Sequence, residues 1–248
     1  MMRSIRLFAF LAGFCFVLAA QPSVACSNAT LKGSFGFVLT GVNSSEVLTA
    51  TVGQMTADGS GGLTGSETVS NDGVITSNVS MTGSYSLAKN CTGTATITPA
   101  AGSASNYSLV VIGTQIQMVE TDTGYTEAGY AVEQGSASCS IAGIKGTFGF
   151  RGGGWNVSSS LIPTADAGQV KADGSGNLSG TQQGSFGGQV YSTSISGSYT
   201  VNENCTGTVT YSVEGTTTHA NFVAVDGEKL AFLIQTDPGA IVTTVTQK

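Results

Sequence analysis

Between residues 33 and 135, apolar and polar positions alternate in short runs broken by glycine. In Ser34-Phe-Gly-Phe-Val-Leu39 the bulky Phe35, Phe37 and Leu39 fall on one face and Gly36 on the other. This is the period of two expected of a strand with one buried side, and bulk on one face with glycine opposite predicts strong curvature. Eight segments read this way, over 33–40, 47–56, 63–70, 79–88, 93–99, 107–112, 115–121 and 125–134. Their links are hairpin-sized, so neighbouring strands should pair antiparallel.

The whole pattern then recurs. Cys26-Ser-Asn-Ala-Thr-Leu-Lys-Gly-Ser-Phe-Gly-Phe37 returns 113 residues later as Cys139-Ser-Ile-Ala-Gly-Ile-Lys-Gly-Thr-Phe-Gly-Phe150. Ala57-Asp-Gly-Ser-Gly61 returns as Ala172-Asp-Gly-Ser-Gly176, Gly83-Ser-Tyr85 as Gly197-Ser-Tyr199, and Asn90-Cys-Thr-Gly-Thr94 as Asn204-Cys-Thr-Gly-Thr208. Order is kept and the offset drifts by a residue or two, so the chain carries an internal duplication. Residues 26–137 form one copy and 138–248 the other, each near the commonest domain size. The boundary near Gly135 and Ser138 is short, so the copies should sit against each other.

Residues 1–25 have another character. Arg3 and Arg6 precede an apolar run from Leu7 to Ala20, and Ser23-Val-Ala25 supplies small residues for a peptidase. The segment reads as a secretory signal peptide, which places the mature chain outside the cell or in the envelope. Cleavage after Ala25 would expose Cys26, so acylation of that residue is an alternative to its use in a disulfide. Cys15 leaves with the leader; the remaining four cysteines allow three pairings. The separations from Cys26 to Cys91 and from Cys139 to Cys205 are 65 and 66 residues, which favours a bridge within each copy. Zinc is a poor rival use, because there is no CxxC and only one histidine.

Eight short antiparallel strands can close into an up-and-down barrel or stack as a β-sandwich. Parity favours the barrel. If strand 1 starts at the base, strand 4 ends there, and Cys26 and Cys91 then meet at one end. The expected fold is all-β, two tandem eight-stranded antiparallel barrels, with a sandwich as the alternative. The motifs Lys-Gly-[Ser/Thr]-Phe-Gly-Phe, Ala-Asp-Gly-Ser-Gly, Gly-Ser-Tyr and Cys-Thr-Gly-Thr resemble those of secreted bacterial β-barrel domains, which are loosely similar to allene-oxide-cyclase-like and lipocalin-like barrels. The resemblance implies the fold. No residue matches a cyclase active site.

Charge narrows the partners. The formal net charge is −6, or −8 without Arg3 and Arg6, and the lysines are scattered. This lacks the basic footprint needed for nucleic acid or an anionic membrane surface. No further apolar run is long enough to span a bilayer.

Candidate chemistry is sparse. Asp58-Gly-Ser-Gly61 and Asp173-Gly-Ser-Gly176 offer oxygen ligands but no closing acid, and read as turns rather than calcium loops. Asp122 and Asp237 sit in a later turn; Glu120 could pair with the first, but its counterpart is Gln235, so an acid–base pair is not duplicated. His219 lies in an expected loop without a nucleophile motif, and the glycine-rich runs match no phosphate loop. No pattern calls for a cofactor or a metal. Asn-x-Ser/Thr triplets such as Asn43-Ser-Ser45 matter only in a host that glycosylates.

The two copies agree in their basal turns and mostly differ in their top loops, the Thr121-Asp122 and Thr236-Asp237 turn excepted. Residues 41–46 become a much longer segment, 152–166, carrying Trp155, and 99–105 becomes 214–220, carrying His219. Divergent loops at one end of a rigid barrel are where binding usually resides, so Trp155, Tyr191 and His219 are the candidate ligand-binding residues. The leading functional expectation is a non-catalytic exported protein that binds a partner or surface. The alternatives are a carrier of a small apolar ligand and, behind it, a barrel enzyme of cyclase or isomerase type.

Overall fold

A computed structural model describes residues 25–135, 138–157 and 160–248. Residues 1–24 of the leader and residues 136–137 of the copy boundary lie outside these. The first copy forms β1 (Gly33–Asn43), β2 (Leu48–Ala57), β3 (Gly62–Asn71), β4 (Val74–Leu87), β5 (Thr92–Pro99), β6 (Ser105–Ile112), β7 (Gln115–Glu120) and β8 (Tyr125–Glu133). The second forms β9 (Lys145–Asn156), β10 (Ile162–Asp173), β11 (Asn177–Phe186), β12 (Gln189–Val201), β13 (Thr206–Val213), β14 (Thr216–Val225), β15 (Leu230–Gln235) and β16 (Ala240–Gln247). Each set closes into an eight-stranded antiparallel up-and-down barrel. The first seam pairs Phe37 with Ala131, and the second pairs Arg151 with Val245. The sandwich alternative is not adopted.

Cys26–Cys91 and Cys139–Cys205 are bridged, each at a barrel base as parity requires. A 3-10 turn, Asn28–Leu31, plugs the first base and buries Leu31. The Tyr85 hydroxyl donates to the Asn28 carbonyl at 2.9 Å, and the Leu87 amide donates to Asn28 Oδ1 at 2.8 Å. In the second barrel the Tyr199 hydroxyl donates to the Ile144 carbonyl at 2.7 Å. The repeated Gly-Ser-Tyr motif therefore holds the plug to the wall in both copies.

Two expected loops are largely strand. In 152–166, β9 continues through Gly152, Gly153 and Gly154 to Asn156, with Asp166 opposite Gly152 and Pro163 opposite Trp155. Glycine weakens an isolated strand, but here it is paired on both flanks, by β10 and β16. In 214–220 the loop shrinks to Glu214-Gly215, both at positive φ, and β14 starts at Thr216. Positive φ at both central residues is the type I′ geometry that suits a two-residue hairpin.

The barrels stand side by side with their bases at the same end, packed outer wall to outer wall. Val38, Ala50, Val52 and Val132 of the first bury against Val223, Val225, Phe232, Ile234 and Ile241 of the second. Tyr130 meets Phe232 edge-on, with ring centroids 5.1 Å apart. Gly36 lies at this contact, where an added Cβ would come within 2.6 Å of Val225 and 2.7 Å of Val223. At the base the Gln134 side chain donates to the Asn204 carbonyl (3.2 Å) and the Gly227 amide to Gln134 (2.8 Å). At the top the Gly239 amide donates to the Gly73 carbonyl at 2.9 Å, and the Ser70 hydroxyl to Ala240 at 2.5 Å. The contact is heterologous: β1, β2 and β8 of one copy meet β14, β15 and β16 of the other.

Candidate ligand site inside the second barrel

Small eight-stranded barrels are either filled by their own side chains or hold one small ligand. The two barrels of this chain differ in how far their interiors are filled. The first barrel is packed by Phe35, Phe37, Leu39, Met55, Met118 and their neighbours, with a residual void of about 10 Å³. The second has a partly open cavity of about 120 Å³ whose wall is mostly apolar.

Matching registers show where the space comes from. Tyr107, opposite Ala95 and Glu120, has Ala220 as its counterpart, opposite Val209 and Gln235. Ile116 becomes Ala231, Met55 becomes Val170, and Leu39, opposite Thr51, becomes Gly152, opposite Asp166. Growth elsewhere, Ile97 to Tyr211 and Leu109 to Phe222, restores only part of the lost volume.

The upper part of the cavity is polar. Asp166, Gln182, Tyr211, Gln235 and Thr244 line it. Asp166 Oδ1 is fully buried and makes no hydrogen bond, and burial pushes this carboxyl above its ordinary range. Gln182 Nε2 donates to the Tyr191 hydroxyl at 3.2 Å. Burial, followed by the Asp166 charge, pushes the Tyr211 phenol well above its usual range.

The same level of the first barrel carries an acidic cluster. The Tyr107 hydroxyl donates to Glu127 Oε2 at 3.0 Å, and Thr49 donates to Oε1 at 3.3 Å. Burial, then the Glu127 charge, pushes the Glu67 carboxyl up to about 7. Burial likewise raises Glu120 and Glu127. These groups converge, but in a packed interior with no room for a substrate. Their counterparts in the second barrel are Gln182, Gln235 and Val242, so the hollow barrel has lost the acids that the filled one keeps. Among the described residues, no group of three or more His, Cys, Asp or Glu side chains is arranged to hold a metal ion.

The three residues singled out from the sequence part company. Tyr191 stands at the mouth of the second barrel, packed over Gly184 and bonded to Gln182. Trp155 pairs with Ile241 and faces outward, packing against the inter-barrel cluster. His219 also faces away from the cavity: its ring Nδ1 lies 2.8 Å from Asp237 Oδ1, and its amide donates to Asp237 Oδ2 at 2.9 Å. In the first barrel, Asp122 makes the matching contacts to Asn106, at 2.7 and 2.8 Å. The Asp122/Asp237 motif is thus a rim clasp. The basal Asp58 accepts the amides of Ser60, Gly61 and Gly62 at 2.6 to 2.9 Å, and these bonds hold its carboxyl low. Asp173 is spent similarly on Ser175 and Asn177.

Asp166 and the cavity were missed from the sequence because residues 152–166 read as a loop. The signal lay in the inward positions compared copy by copy, where four large side chains become small. Compared with protein-family models and with curated proteins, the chain matches none.

Proposed function

We propose that this is an exported protein that binds a small molecule, without transforming it, inside its second barrel. The first barrel supports it as a filled, rigid neighbour. One observation carries the reading: of two barrels built on one pattern, one is packed to a void of about 10 Å³ and the other keeps about 120 Å³ lined mainly by apolar groups. An engineered cavity of about 150 Å³ admits benzene, so the guest is the size of one small ring or a short alkyl chain. Export is supported by the leader pattern and by two disulfides, which persist in oxidising compartments. A non-catalytic role fits a cavity wall that is mostly apolar.

The test is an NMR titration of the mature protein with toluene. Resonances of Phe150, Val170, Leu233 and their neighbours should shift saturably, and Ala231→Ile should abolish the effect while the protein stays folded. Absence of any shift in the wild type would reject the reading.

A further inference from the structure

We infer that the guest of the second barrel is a small amine, with its apolar body in the cavity and its protonated nitrogen against Asp166. This rests on the reading of that barrel as a ligand site.

Three observations lead there. First, Asp166 Oδ1 is buried at the cavity wall with no hydrogen-bond partner. A buried carboxylate oxygen without a hydrogen bond is costly; the Gly152 backbone bonds the carboxyl, and Gln182 Nε2 goes to the Tyr191 hydroxyl. Second, the cavity lining contains two acids, Asp166 and Glu228, and no Lys, Arg or His. Glu228 already receives the Ser140 amide at 2.8 Å, so Asp166 is the acid left to meet a guest. Third, the carboxylate is particular to the hollow barrel. The same register position in the filled barrel is Thr51, and the Leu39 opposite it is replaced by Gly152, which gives the acid room.

These features discriminate between ligand classes. A pure hydrocarbon would fill the cavity and leave Oδ1 unsatisfied. An anion would meet like charge with no cation to offset it. A protonated amine supplies a charge-assisted hydrogen bond of about 2.7–2.9 Å and neutralises the carboxylate in the same contact.

The experiment compares benzylamine, benzyl alcohol and toluene, matched in shape, by titration at neutral pH against the mature wild type, Asp166→Asn and Asp166→Thr. The second variant installs the residue of the filled barrel and serves if the first folds poorly; a thermal melt checks both. Benzylamine should bind roughly tenfold or more tighter than benzyl alcohol to the wild type, and the preference should vanish in the variants while toluene still binds. Equal affinity of the three probes for the wild type, or a preference that survives loss of the carboxylate, would overturn the amine assignment and leave the cavity reading standing. Failure of all three probes would overturn both.

Discussion

The carboxylate of Asp166 occupies the volume that a side chain at residue 152 would fill: a Cβ built on Gly152 would collide with Asp166 Oδ1 and come within 2.7 Å of Thr244 Oγ1. In the other barrel the same pair is Leu39 and Thr51. Gly152→Leu alone should therefore destabilise the protein by about 1–3 kcal/mol through overpacking. Adding Asp166→Thr should recover at least ~1 kcal/mol of that loss, because contacting sites couple. A double-mutant cycle by urea unfolding reads the coupling, and strict additivity would show that the two positions do not share space.

Filling the cavity should stabilise the fold and block it. Ala231→Ile installs the residue of the packed barrel at its register counterpart, and should add about 1 kcal/mol. Calorimetry checks the gain.

The acidic cluster sets a pH dependence. Glu67 titrates near 7 in the folded state, above its ordinary value of 4.5, because of burial and the Glu127 charge. The folded protein thus holds the proton more tightly, and this contribution to stability is complete below about pH 4.5 and lost as pH rises to about 7. Glu120 and Glu127 shift in the same direction. Glu67→Gln should flatten the profile, raising stability at pH 8 by on the order of 2–3 kcal/mol and changing little at pH 4. The position tolerates an amide in the sister barrel, where Gln182 stands. Melting temperatures measured across pH 4–8 decide it.

The inter-barrel wall should hold the two units in one cooperative transition. Phe232 is fully buried there against Tyr130. Phe232→Ala should cost about 3–5 kcal/mol and split the calorimetric peak into two. A single peak of lower midpoint would show that the barrels remain coupled without it.

Removing Cys139 and Cys205 together opens a 66-residue loop and should cost about 4 kcal/mol on the chain-entropy model. The hollow barrel should then melt first, as seen by hydrogen exchange that rises in β9–β16 before β1–β8.

Duplication made the architecture legible. Strand alternation, the parity of Cys26 and Cys91 and the repeat of both in the second copy favour a pair of closed barrels over sandwiches, and the closure of both sheets bears this out. The site was less legible, because whether a barrel is full or hollow depends on which residues share an interior layer. Ala231 and Ala220 look unremarkable in their strands; only against Ile116 and Tyr107 do they mark lost volume. Trp155 drew attention as an aromatic among glycines, yet a strand that continues through those glycines turns it toward the neighbouring barrel. The outer-wall contact was hidden for a related reason: it uses non-equivalent faces, so Val38 of one copy answers to Arg151 of the other and Phe232 to Gln117.

The clasp between Gly73 and Gly239 gives the hollow barrel a fixed jamb. The β15–β16 turn is pinned to the neighbouring wall, and Val157 is pinned in turn to Gly239 at 2.8 Å. The opposite lip is the β11–β12 hairpin, which turns through Gly187-Gly188 and leaves Phe186 and Val190 in solvent. Any opening of the second barrel at this end is therefore expected at the β11–β12 lip and not at the jamb, because the jamb is bonded to the first barrel.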